Sequence, residues 1–373
     1  MARNGFVREN QAGVDVTDSQ RTFVDDWPKP EILVAMSDFE GLCGFRDPHE
    51  TRQLFDGLDI RIPVDPVLGS LTERSGPAAL AETFLDCLAG DDLRRQIVTE
   101  VVSGAVNHVG EDTPLGEFAR TAVELDEYFP GDPSILAALM LNRIHLRPGE
   151  ALAVPPGLMH SYLSGTGIEI MADSNNVVRG GLTDKHIDVD SLIEIVDFQT
   201  QEPWVMTAEE VDPGMRVFPG TDEQFRLWEL DLDTTRPAIL PANDLARILL
   251  ITGGYAVCSS PQGTDEIVRG QAVWIPAGEQ VQVDGNCDGC DAAPCGIQEL
   301  ARGWTHGTQD ERRKFQPGPH QGSGTVCPRG GRQTPARRRH PHQVRREVLP
   351  AQQGSSGDAC DPLDRALLRR VRA

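Results

Sequence analysis

The stretch RPGEALAVPPGLMHSYLSG, residues 147–165, decides how the whole chain is read. Pro148-Gly149 makes a tight turn, a short apolar run follows, Pro155-Pro156-Gly157 turns again, and His160 and Tyr162 enter an alternating run. Proline presets φ for a turn and glycine supplies positive φ, so the residues read as turn, strand, turn, strand. A histidine that opens a strand is ordinarily a partly buried, hydrogen-bonded side chain. Any further role has to be argued from its neighbours.

The stretch has a second copy downstream. Placing PGEALAVPPGLMHSY over RGQAVWIPAGEQVQV matches Gly149 with Gly270, Ala151 with Ala272, Val154 with Ile275, Pro155 with Pro276 and Gly157 with Gly278. Two copies of one supersecondary unit imply two barrels of related design. In this register His160 falls opposite Val281. A histidine needed only for packing could have been kept in both copies, whereas a ligand is needed only where there is a site.

Around these copies the chain changes period. Residues 32–45, ILVAMSDFEGLCGF, read as a strand and a loop bounded by Pro30 and by RDP. From about Gly69 to Asn142 apolar residues recur at three and four spacing, and GDPSILAALMLN offers Asp132 as N-cap with Pro133 at the first helical position. Short alternating strands return after Asn142 and persist to about Val283, with turns every ten residues or so, the rhythm of a jelly roll. The expected fold is mainly β: two jelly-roll barrels with an inserted α-helical domain.

Charge divides the chain in two. The net charge is -22, yet from Cys287 onward 15 Lys+Arg face 9 Asp+Glu, which leaves 20 basic and 48 acidic residues before it. So acidic a body is unsuited to nucleic acid or anionic membranes. Apolar runs fall short of a membrane span and MARNGFVREN is no signal peptide, so a cytoplasmic protein is expected. Cys43, Cys87 and Cys258 are widely spaced in the body, as suits buried thiols in a reducing compartment. Ile, Leu, Val and Phe make only 11 of the last 87 residues, too few for a core, so 287–373 is expected to be a disordered basic tail or the product of a frame change. CDGC with Cys295 lacks the second pair that a zinc knuckle needs, and nucleic-acid binding by the tail is the lesser reading.

KPEILVAMSDFEGLCGFRDP, GDPSILAALMLN and LNRIHLRPGEALAVPPGLMHSYLSGTGIEIMADSNNVVRGGLTDKHIDV together resemble the type I phosphomannose isomerases of the cupin superfamily. The similarity runs from about Gly5 to Asp284 in the family's order. It implies a metal-bearing cupin whose two halves are 1–63 and 143–200, a helical insertion at 64–142, and a second, metal-free cupin at 201–286. It also implies Zn2+ as cofactor, a sugar phosphate as the only partner, and a monomer. Carried over residue by residue, Glu31 and His160 are the expected zinc ligands, a carboxylate and an imidazole being ordinary donors. Arg179 of RGGLT, Lys185 of DKH and Lys29 beside Glu31 are expected to line the pocket, with Glu169 as the carboxylate that shuttles a proton. Glycines 180 and 181 are expected to let a ligand approach the backbone beside Arg179. His49, His108, His145 and His186 are expected to be structural, nothing placing them near a second donor.

The implied reaction interconverts mannose 6-phosphate and fructose 6-phosphate through an enediol. A zinc ion would polarise the sugar oxygen and a positioned group would move the proton. Two features depart from the family's pattern. The Gln-x-His-Pro motif that carries its first two ligands would fall just before GFVREN and is not in this sequence, and Pro28 stands where histidine is usual. The expectation is an impaired isomerase, or a cupin that binds a sugar phosphate without turning it over.

Overall fold

The computed structural model describes residues 1–300, apart from 19, 75, 184–186, 221–223, 233–236 and 287–294, with no side-chain description at 286 and 295–300. The first strand, β1 (Glu31–Ala35), is buried along its whole length. Side chains alternate across a strand, so Leu33 and Ala35 enter one apolar cluster while Ile32 and Val34 enter another. That two-sided burial is why ILVA is apolar without alternation.

β2 (Phe39–Phe45), β3 (Leu141–Leu146), β4 (Glu150–Val154), β5 (His160–Ser164), β6 (Gly167–Met171) and β7 (Val205–Thr207) complete the first β unit. They form two sheets, in the orders β6-β1-β4-β7 and β3-β2-β5. Phe39, Cys43, Ile144, Leu146, Leu152 and Val154 join Leu33 and Ala35 in the cluster to which both sheets contribute. Tight corners use the expected glycines: Gly157 has φ +90°, and a Cβ there would lie 2.6 Å from the carbonyl oxygen of Ile195.

Helices occupy the chain between β2 and β3 and start earlier than the expected boundary at 64, with Pro48–Asp56. Asp47 caps this helix, its carboxylate accepting from the amides of His49 and Glu50, and Pro48 takes the first turn, where no amide is required. The same device opens Pro114–Tyr128, capped by Thr113. At GDPSILAALMLN the helix spans Ser134–Ala138, with Asp132 bonding the amide and hydroxyl of Ser134 and Pro133 standing at the boundary position. Phe55, Leu71, Phe84, Ile97, Phe118 and Ile135 build one large core with Leu42 and Phe45 of β2.

The second β unit consists of β8 (Glu209–Asp212), β9 (Met215–Val217), β10 (Phe225–Leu230), β11 (Ala238–Leu240), β12 (Arg247–Leu250), β13 (Tyr255–Ser260), β14 (Gly263–Val268), β15 (Ala272–Ile275), β16 (Val281–Asn286) and β17 (Cys295–Leu300). Its sheets run β15-β12-β17-β10-β9-β8 and β11-β16-β13-β14. The repeat is physical: Gly149 and Gly270 have φ of +85° and +84°, Gly157 and Gly278 +90° and +83°. Register extends it further. Glu31 pairs with Val154 and Arg247 pairs with Ile275, so Arg247 holds in the second unit the place Glu31 holds in the first.

One expected boundary is corrected. β17 lies beyond residue 286, where the fold was expected to stop, yet its backbone pairs with β10 on one side and β12 on the other. Composition averaged over 87 residues conceals a six-residue strand that the sheet itself recruits.

Candidate active site

Lys29 and Glu31 stand at the entry to β1, separated by Pro30. A residue before proline is pushed out of the helical region, so Lys29 is extended and its side chain falls on the same side as that of Glu31. The ammonium lies 2.8 Å from Glu31 Oε1. Glu31 Oε2 lies 3.4 Å from His160 Nε2. β1 and β5 belong to different sheets, and the two side chains meet between them.

The ring of His160 is oriented from behind. Its Nδ1 lies 3.0 Å from the carbonyl oxygen of Leu158, which accepts only and so requires the proton on Nδ1. Nε2 is thereby left with its lone pair toward Glu31 in the neutral ring, the arrangement of a metal-directed histidine. Burial works against the charged imidazolium, but the bonds to Glu31 and Leu158 and the charges of Glu31 and Glu169 outweigh it and hold the pKa above its ordinary value. Burial also works against the Glu31 carboxylate. Hydrogen bonds from His160 and Lys29, with their charges, bring its pKa net below the usual range.

Glu169 arrives from β6, paired with Leu33, two positions along from Glu31 and on the same face. It accepts a 2.6 Å hydrogen bond from the phenol of Tyr162. Burial is the main reason its carboxyl is pushed up, and the nearby Glu31 charge adds to this against the Tyr162 bond. Tyr162 is packed edge-on by Phe39, with ring centroids 5.4 Å apart, and its own ionisation is pushed far up by burial and the two carboxylates. Sequence reasoning gave Tyr162 no role. The available signal was its place two residues after His160, which puts both rings on one face of β5.

Lys185 lies outside the described residues, as does His186. Arg179 is half-buried, and among the described residues the bonds joining Lys29, Glu31, His160, Tyr162 and Glu169 do not extend to it. The glycines beside it stand close against neighbouring side chains. A Cβ on Gly180 would lie 2.4 Å from Met159 Cε, and one on Gly181, at φ +126°, would lie 2.4 Å from Ser134 Cβ. His108 pairs with Glu111 at 2.7 Å, and His145, expected to lack a second donor, sits between Glu117 at 2.7 Å and Glu40 at 3.6 Å. Both meet these partners on or beside the helical region rather than among the bonds of the Glu31 cluster.

Glu31 and His160 fit a zinc ion in chemistry, tautomer and mutual approach. They fall short in number, since a catalytic zinc takes three protein donors. Among the described residues no group of three or more His, Cys, Asp or Glu is placed to hold a metal.

Two sheets with a carboxylate, an imidazole and an ammonium gathered between them define a cupin-type fold with a polar interior. No protein-family model matches the chain. It is 28% identical over 276 residues to mannose-6-phosphate isomerase of Escherichia coli, covering 74% of this chain and 68% of that one. Against mannose-6-phosphate isomerase 1 of Arabidopsis thaliana it is 26% identical over 278 residues, covering 71% of this chain and 63% of that one. The fold matches Salmonella typhimurium mannose 6-phosphate isomerase bound to substrate (f6p) and zinc, with a TM-score of 0.69 and 23% identity, over 80% of this chain and 73% of that one. The chain is similar to mannose-6-phosphate isomerases over these residues, and it spans 63 to 68% of these two curated relatives' own length.

Proposed function

We propose that this chain is an aldose-ketose isomerase interconverting mannose 6-phosphate and fructose 6-phosphate, a zinc-dependent monomer of the cytoplasm serving mannose and GDP-mannose metabolism. The observation that carries the reading is the convergence of Lys29, Glu31, His160 and Glu169 between the two sheets of the first β unit. Glu31 and His160 would hold the metal, and a bound zinc supplies Lewis-acid polarisation of the sugar oxygen. Glu169 is the proton carrier in this reading. A carboxyl pushed up by burial is closer to neutral pH, where it can accept the proton from C2 of the aldose and return it to C1 of the enediol, while the C2 hydroxyl proton passes to the C1 oxygen. Lys29 is a point charge for the negative charge that grows on the sugar oxygen, and Arg179 and Lys185 are the cations for the phosphate.

The donor count favours a second reading, in which the chain binds a sugar phosphate without turnover. Metal analysis after dialysis, beside a coupled assay from mannose 6-phosphate, separates the two. The expected result is zinc well below one per chain and turnover that rises on adding zinc. Stoichiometric zinc with unstimulated turnover would show that residues other than Glu31 and His160 complete the ligand set. Sugar-phosphate binding with no turnover at any zinc concentration would establish the second reading.

A further inference from the structure

The chain that delivers Lys29 and Glu31 is held by a bond pattern that packing does not require. The β1–β6 ladder ends at Glu31 opposite Met171, with one more rung from the amide of Ala172 to the carbonyl of Pro30 at 3.1 Å. It cannot continue regularly, because Pro28 and Pro30 have no N–H to give. Asn176 takes over. Its Oδ1 accepts from the amides of Val24 at 2.9 Å and Asp25 at 3.3 Å. Its Nδ2 donates to the Asp25 carbonyl at 3.0 Å, the Asp25 carboxylate at 3.0 Å and the Trp27 carbonyl at 2.9 Å. Ser174 Oγ reaches the same Asp25 carboxylate at 2.9 Å and the Trp27 carbonyl at 3.3 Å, and the amide of Asn175 adds 2.9 Å to the other carboxylate oxygen.

Every hydrogen-bonding capacity of one carboxamide is thus spent on three residues of the other segment, Val24, Asp25 and Trp27. Lys29 is bracketed, with the ladder rung at Pro30 on one side and the clasp at Trp27 on the other. The clasp also ties this segment to the chain between Glu169 and Arg179. We propose that Asn176 is a positioning residue, whose carboxamide replaces the ladder the prolines prevent and so holds the Lys29 ammonium against Glu31. This deepens the isomerase reading but rests on bonds that exist whether or not the chain turns over.

The test reads Lys29 directly. The sequence has only three lysines, Lys29, Lys185 and Lys314, so an acetylating amine reagent with peptide mass spectrometry resolves each one. In the full chain Lys29 is expected to label slowly relative to a free lysine peptide carried in the same reaction. In Asn176→Ala its relative rate should rise about fivefold, equivalent to about 1 kcal/mol, the net value of one ordinary hydrogen bond. Ser174→Ala, which removes only the hydroxyl's share of the clasp, should give a smaller rise and covers the case in which Asn176→Ala folds poorly. Leu125→Ala empties a place in the helical core and leaves the clasp intact, so Lys29 should label there as in the parent chain. Equal Lys29 rates in parent, Asn176→Ala and Ser174→Ala would overturn the positioning role and leave the isomerase reading standing. An equal rise in Leu125→Ala would also overturn it, showing only loss of stability. Fast labelling of Lys29 already in the parent would show that the ion pair with Glu31 does not form, and would count against both.

Discussion

At the scale of residues, the site is a chain of charges whose members settle one another's state. Glu31 keeps its charge because Lys29 and His160 face its two oxygens, and Glu169 resists charging because burial and Glu31 oppose it. Tyr162 is the donor that makes Glu169 tolerable in the interior. Replacing a donor leaves a buried acceptor unpaired, which costs about 1–3 kcal/mol, while removing both partners costs far less. Tyr162→Phe is therefore expected to lower stability by about that amount, and to cost little in a chain that already carries Glu169→Leu. Chemical denaturation of the four proteins in the cycle checks it, and additive losses would show that the bond does not act as drawn. Arg247 shows the converse choice. It sits at the register place of Glu31 and is buried, with its guanidinium donating to the carbonyls of Pro241 at 2.9 Å and Glu279 at 2.6 Å. A permanent cation cannot ligate a metal, and Val281 holds the repeat position that His160 holds in the first unit. We propose on that ground that the second unit is a metal-free cupin.

At the scale of elements, caps and glycines do most of the placing. The helix Val189–Ile195 is capped by Asp188, whose carboxylate accepts from the amide of Ser191 at 3.0 Å and its hydroxyl at 2.6 Å, and from Thr22 Oγ1 at 2.8 Å. It therefore ties the N-terminal segment to the first β unit as well as starting a helix. Burial raises the Asp188 carboxyl, but the Ser191 and Thr22 bonds and the Arg8 charge pull it net below its ordinary value. A depressed folded pKa contributes stability above the unfolded value of about 3.9 and loses it as pH falls through the folded one. Asp188→Ala should cost about 1 kcal/mol near pH 7, the usual price of a cap, and the gap to the parent should close as pH falls below about 3.9. Melting temperatures from pH 7 to 3 decide this, and a gap that widens in acid would mean the sign is wrong. The positions of the β turns were legible because a Pro-Gly pair has few conformations open to it. The early start of the helices at Pro48 was not, since PHETRQLFD carries only two turns of pattern and its cap, Asp47, also reads as a turn residue.

At the scale of the whole molecule, one strand from beyond the acidic body belongs to the fold. β17 lies between β10 and β12, so a chain ended at residue 286 would leave two interior strand edges unpaired. Such a chain should melt several degrees below one ended at residue 300, the shift expected for about 1–2 kcal/mol or more in a protein of this size. Equal melting temperatures would return the boundary to 286. Local chemistry written in consecutive residues let the sequence alone determine the two-copy β design, its turns, the helical insertion between strands, the buried thiols and the resemblance carried by its motifs. Backbone conformation and side-chain period act over a few residues, and a few residues suffice to read them. Only tertiary structure decided that Glu31 and His160 meet from different sheets, that Gly180 and Gly181 yield to Met159 and Ser134, that Asn176 clasps the approach to Lys29, and that residues 295–300 complete a sheet. Each of these joins positions that are distant in sequence, and a contact between them is set by how the sheets pack rather than by any preference either residue carries alone.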